Sequence, residues 1–157
     1  MSNISIHELY KERKEKYLET IEKSLEQHLW DTLGEYPRID RVGVRSKSIE
    51  RFLAKAEKTT HKGTPKYTHP LSQIQDQLGA RIVTFYKSDV DEISKKVKEF
   101  FRHVEEQKFI PDTPSEFGYE GRHFILFMPE DIITSPELKD NLPQFFELQI
   151  KSTENTE

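Results

Sequence analysis

Three short runs limit what this chain can fold into. They are ARIVTFY (80–86), RHFILFM (122–128) and QFFELQIK (144–151), each dense in aliphatic, β-branched or aromatic residues. Runs of this length and bias suit strands buried on at least one face rather than helices. A fourth segment, IDRVGVRS (39–46), alternates through Ile39, Val42 and Val44 and predicts another strand. Lys108 to Ile110 reads as a further short one.

Helical patterns separate these runs. Residues 5–33 bring Tyr10, Tyr17, Ile21, Leu25 and His28 or Leu29 onto one stripe, with Glu/Lys pairs opposite, and Gly34 and Pro37 end the pattern. Ser48 is placed to cap a helix over 49–59. The stretch SDVDEISKKVKEFFRHV (88–104) predicts an amphipathic helix capped by Ser88, with Asp91 three residues later. Val90, Ile93, Val97, Phe100 and Phe101 form its expected apolar face. LSQIQDQ reads as one helical turn, and 60–70 and 129–143 read as connections. Helices and strands in this order predict an α/β (α+β) domain, a mixed β-sheet flanked by helices.

Composition excludes several functions. The chain has no cysteine, so disulfide frameworks and thiol or Cys-zinc chemistry are out. Its net charge of −4 gives no global attraction to duplex nucleic acid. No histidine pair has HExxH-type spacing. The polar N-terminus lacks an apolar signal core and no window approaches a membrane span, so the expectation is a cytoplasmic protein without membrane contact. A length of 157 residues predicts a single domain.

Four segments carry residues with chemistry. In VRSKSIERFLAK, Arg45 and Lys47 sit two apart at a strand end, and Arg51 and Lys55 are one helical turn apart. Guanidinium and ammonium groups at a strand-to-helix junction suit polyphosphate. The plainer reading is a solvated helix face balanced by Glu50 and Glu57. In DQLGARIV, Asp76 precedes Gly79 and Arg81 begins a strand; this suits a magnesium ligand beside a nucleotide clamp, or a turn Asp in a structural ion pair. In FFELQIKS, with Phe145 expected in the core, Glu147 and Gln149 share one face. A carboxylate in a central strand needs a partner or a metal, whereas on an edge strand it simply meets water. Asp76 and Glu147 on neighbouring strands would jointly hold one Mg²⁺. In EFGYEGRHFILF (116–127), Tyr119 offers a stacking surface, Gly118 and Gly121 would admit close backbone approach, and His123 suits a phosphate. Alone, this loop reads equally as a glycine-rich turn.

Taken in order, the four segments resemble the synthetase domain of the RelA/SpoT family, which makes the alarmone (p)ppGpp. The resemblance spans about 40–151 and rests on R-x-K with a second Lys eight residues on (Arg45, Lys47, Lys55), D-x-x-G-x-R (Asp76, Gly79, Arg81), G-Y-x-x-x-H (Gly118, Tyr119, His123) and E-x-Q (Glu147, Gln149). It implies a nucleotidyltransferase-like fold and transfer of pyrophosphate from ATP to the 3′-hydroxyl of GDP or GTP. Arg45 and Arg81 would sandwich the adenine, and Lys47 and Lys55 would hold the ATP phosphates. Asp76 and Glu147 would ligate Mg²⁺, Glu147 also accepting the hydroxyl proton. Tyr119 would stack on the acceptor base, with His123 and Gln149 along the acceptor nucleotide. Arg51 stands where the family often has Ser, and Glu120 stands where a basic or neutral residue is common.

The expected layout is an N-terminal helix (1–38), a catalytic core (39–151) and a tail (152–157). Because the chain stops directly after its last strand, the C-terminal helices usual in the family are expected to be missing from this segment. Other readings keep the ATP donor but change the acceptor to an adenosine nucleotide or the 3′ end of tRNA, as in toxin-like members, or make the chain a non-catalytic nucleotide-binding regulatory module. A tRNA acceptor would need a basic surface, for which Lys62, Lys66, Lys95, Lys96 and Lys98 are the candidates. A homo-oligomer is left open.

Overall fold

The structure, a computed structural model, describes residues 5–109 and 121–153. Five strands form one sheet: β1 (Ile39–Ser46), β2 (Leu78–Thr84), β3 (His103–Phe109), β4 (Gly121–Phe127) and β5 (Phe145–Ser152), in the spatial order β1-β2-β5-β4-β3. β2 and β5 run parallel, and every other neighbouring pair is antiparallel. Mixed pairing follows from the connections, because β5 returns to the centre after β4 instead of extending the edge. The helices are α1 (Ile6–Arg13), α2 (Glu19–Leu33), α3 (Ile49–Ala56), the single turn α4 (Pro70–Gln73), α5 (Lys87–Phe100) and α6 (Pro136–Asn141); the last, capped by Ser135, lies in the stretch 129–143 that was expected to be only a connection. The expected mixed sheet flanked by helices is what the chain adopts.

Burial follows the two-residue period of the strands. Ile82, Phe124, Leu126, Phe146, Leu148 and Ile150 turn to one face and pack with Leu25 and Leu29 of α2 and Ile93 and Val97 of α5 in a single core. Phe145, expected in that core, faces the other way and packs on Phe127, ring centres 4.9 Å apart; Phe146 takes the core position. β2 begins two residues earlier than expected, since pairing with β1 continues through Gly79 and Leu78. It ends at Thr84, leaving Phe85 and Tyr86 outside the sheet and exposed.

The N-terminal helix is interrupted. A π-helical segment, Lys14–Leu18, joins α1 to α2. Its wider turn takes up an extra residue, so Leu18 reaches the core where regular spacing had put Tyr17. Ser48 caps α3 as expected, its hydroxyl accepting the Arg51 N–H.

α5 is capped two residues earlier than expected, at Tyr86 in place of Ser88. Its start is set not by Ser88 but by the buried carboxylate of Asp89, which accepts the Tyr86 N–H at 2.9 Å, the Tyr36 hydroxyl at 2.7 Å and the Arg38 guanidinium. Burial pushes the Asp89 carboxyl up, but these donors outweigh it and hold it below the ordinary range. At the far end the backbone turns extended at Phe101. Phe101 therefore swings inward, Phe100 is left exposed, and the following residues join β3. Replacing Asp89 by Ala should orphan three donors and lower unfolding stability by about 2–3 kcal/mol, read by denaturant unfolding.

Candidate active site

α2 and α5 cover one face of the sheet, and the opposite face carries the polar side chains. Arg45 lies opposite Gly79, and Gly79 lies beside Glu147. One step along, Gly43 lies opposite Arg81, Arg81 beside Gln149, and Gln149 opposite His123. Paired residues share a face, so Arg45, Arg81, Glu147, Gln149 and His123 rise together. Glu147 stands on the central strand β5, not on an edge. Its carboxylate accepts the Gln149 side-chain N–H at 2.7 Å.

Two glycines shape the floor. Gly43 and Gly79 alternate with Arg45 and Arg81 across the β1–β2 pair, so each guanidinium stands next to a bare backbone. A Cβ at Gly43 would meet nothing within 4 Å, and one at Gly79 would meet only the Arg45 carbonyl at 3.8 Å. Side chains there would not clash with the protein; they would fill the space between the two arginines.

Asp76 enters from the turn before β2. Its carboxylate takes Lys47 at 2.8 Å on Oδ2 and Lys55 at 3.0 Å on Oδ1. Burial pushes its pKa up, and the two ammonium groups more than reverse this, leaving the carboxyl below its ordinary value. Lys47 follows directly after β1, and Lys55 sits on α3 two turns past its cap. The resulting cleft of about 730 Å³ is lined by Arg45, Lys47, Asp76, Arg81, Glu147 and Gln149. Lys55 borders it only through Asp76. Arg51 lines it too, and so does Lys14 from the start of the π-helical segment. Lys14 went unnoticed in the sequence because it lies in KERKEK, a run indistinguishable from a solvated helix face. Gly43 carried only the weak signal of a glycine within a strand.

The Gly118–Phe127 segment divides. Gly118 and Tyr119 lie outside the described residues. Arg122 and His123 point to opposite faces. Arg122 turns toward α5 and pairs with Glu106 and Asp91, each at 2.7 Å, while His123 stays on the open face one strand beyond Gln149. Gly121 answers to the sheet instead of a ligand: it is buried in β4, and a Cβ there would stand 3.0 Å from the Ile150 carbonyl.

The donor set limits what metal the cleft suits. Among the described residues no three His, Cys, Asp or Glu side chains converge. Two carboxylates, one of them already paired to lysines, fit an ion that takes its remaining ligands from phosphate oxygens. Mg²⁺ bound with a nucleotide is such an ion.

The site is thus a cationic, carboxylate-bearing cleft on the sheet face opposite α2 and α5. A family model described as the region found in RelA / SpoT proteins matches residues 44–157, and the chain belongs to the RelA/SpoT family. Among solved structures, small alarmone synthetase 1 from Bacillus subtilis matches with a TM-score of 0.67 at 19% identity, over 92% of this chain and 71% of that one. The same synthetase bound to its product pppGpp matches with a TM-score of 0.67 at 21% identity, over 90% and 74%. A GTP pyrophosphokinase family protein from Streptococcus pneumoniae matches with a TM-score of 0.65 at 19% identity, over 96% and 71%. At these identities the likeness shows the fold. No curated protein matches the sequence.

Asp76 also predicts a pH signature. A depressed folded-state pKa stabilises the fold above the ordinary carboxylate value of 3.8, and the contribution is lost as pH falls through the lower folded value. Asp76→Asn should therefore unfold at a lower temperature than the parent at neutral pH, and the gap should close below pH 3.8. A gap that persists unchanged into acid would contradict the ion-paired carboxylate.

Proposed function

We propose that this chain is a GTP/GDP pyrophosphokinase, transferring pyrophosphate from ATP to the 3′-hydroxyl of GDP or GTP to make (p)ppGpp. The observation that carries the reading is the convergence of Arg45, Lys47, Asp76, Arg81, Glu147 and Gln149 on one cleft, within the segment that matches the family. The pppGpp bound to the Bacillus synthetase supports a guanosine acceptor here.

Arg45 and Arg81, separated by glycines, suit the two faces of a purine. Lys47 and Lys55 suit the donor phosphates. Asp76 and Glu147 would hold the Mg²⁺, which when bound supplies charge neutralisation on the phosphate oxygens. The acceptor hydroxyl attacks the β-phosphorus of ATP, the bond from that phosphorus to the α,β-bridging oxygen breaks, and AMP leaves. Glu147 accepts the hydroxyl proton, and Gln149, hydrogen-bonded to it, orients the carboxylate. Positioning and charge do most of the work in such transfers. Tyr119 and His123 complete the acceptor side in this reading. The tRNA alternative gains little support: Lys95 is paired with Glu92 and Lys98 with Glu106, so two of its five candidate cations are matched within the chain.

Incubation with γ-labelled ATP and Mg²⁺ should move label to GDP or GTP, and Asp76→Asn and Glu147→Gln should each abolish it. Label on adenosine nucleotides or tRNA alone would replace the acceptor, and transfer to none would remove the activity.

The lysine pairs add a second expectation. While Lys47 and Lys55 occupy Asp76, they compete with a metal for it; donor phosphates would draw them away. Lys55→Gln should therefore tighten Mn²⁺ binding to the nucleotide-free protein about fivefold or more, read by electron paramagnetic resonance. The same variant should weaken binding of a non-hydrolysable ATP analogue. Mn²⁺ affinity unchanged or weakened would rule out the competition.

A further inference from the structure

The turn that carries Asp76 is held by a helix outside the family-matched residues. Gln77, fully buried, ties the turn to itself: its side-chain amide donates to the Leu71 and Ile74 carbonyls, each at 2.8 Å. Its backbone carbonyl accepts the Lys47 N–H at 2.8 Å, joining the Asp76 turn to the end of β1. Arg13 of α1 closes this knot. One guanidinium nitrogen donates to the Gln77 side-chain oxygen at 3.0 Å and to the Leu71 carbonyl at 2.8 Å. Three residues earlier, the Tyr10 hydroxyl donates to the Lys47 carbonyl at 2.7 Å, while its ring stacks on Phe52 of α3 at 3.8 Å.

We propose that Arg13 is a positioning residue of the donor site: through Gln77 it fixes the turn that presents Asp76 to Lys47 and Lys55. Arg13 touches no cleft surface itself. It acts on backbone that is otherwise irregular, between a single helical turn and the first residue of β2. An acid in such a segment keeps one geometry only where the surrounding groups over-determine it. Removing the guanidinium leaves a buried amide oxygen without its donor and frees the turn to move. Displacement by about 1 Å at a reacting group is enough to lower turnover about 100-fold. Tyr10 does the same for Lys47 from the next turn of α1, so one helical face braces both halves of the Lys47–Asp76 pair.

This inference rests on the proposed donor role of the cleft, and the test separates the two. Amide hydrogen exchange over 74–77 and binding of a non-hydrolysable ATP analogue are measured in the full chain, with Arg13→Gln, Arg13→Lys and Tyr10→Phe beside it. Arg13→Gln should speed exchange in the turn and weaken the analogue about tenfold or more, with acceptor affinity held within about twofold. Arg13→Lys, which keeps one charged donor, should fall between it and the parent. Tyr10→Phe retains the ring stack, serves if Arg13→Gln does not fold, and should weaken the analogue alone. Asp89→Asn, at the opposite end of β2, is the control: it should lower the melting temperature and leave analogue binding unchanged. Analogue affinity in Arg13→Gln within twofold of the parent, or donor and acceptor affinity falling together, would overturn the proposal. A parent chain that binds no analogue overturns the donor role of the cleft and the positioning role with it; its turn would still exchange faster in Arg13→Gln if the pin is real.

Discussion

β2 and β5 run parallel at the centre of the sheet, with Gly79 beside Glu147 and Arg81 beside Gln149. Every other element takes its place from this pairing. It joins segments more than sixty residues apart in the chain, so it is stable only because both strands bury one whole face: Ile82 beside Ile150, Ala80 beside Leu148. α5 packs on that face and α2 on the neighbouring β1. The other face is then free to carry charge. Glu147 reaches it because Leu148 and Phe146 on either side are locked into the core. Shifting β5 by a single residue would bury Glu147 and expose both apolar neighbours.

The charges on that face are arranged in advance. Lys47 and Lys55 hold Asp76, Gln149 holds Glu147, and the two arginines stand beside bare glycine backbone. Paired in this way, the cleft avoids the cost of half-buried like charges and remains stable without ligand. The same pairs are exchangeable, since an anionic ligand offers the lysines an alternative partner.

How much was legible follows from the range of each cause. Ser48 as a cap and the strands at 39–46 and 144–151 came from neighbours within a few residues, and these held. Features set by distant groups were missed. Asp89 fixes the start of α5 because Arg38 and Tyr36, about fifty residues away, need an acceptor there, and no local pattern announces that. The π-turn that puts Leu18 in the core in place of Tyr17 involves no unusual residue. Arg122 and His123 are adjacent in the chain, yet strand alternation sends them to opposite faces, one to α5 and one to the open side.

For this protein the sequence by itself determined most of the strands and helices and, through four ordered motifs, the family. It named Arg45, Lys47, Asp76, Arg81, Glu147 and Gln149 before any geometry existed. Only the tertiary structure decided that these side chains meet in one cleft, that Lys55 reaches it through Asp76, and that Lys14 and Arg13 attend it from outside the matched segment. The reason is physical. Periodicity and capping are settled between residues a turn or a pleat apart, whereas a site is settled by strand register and long-range hydrogen bonds. Those depend on which buried faces find each other, and no single segment encodes that.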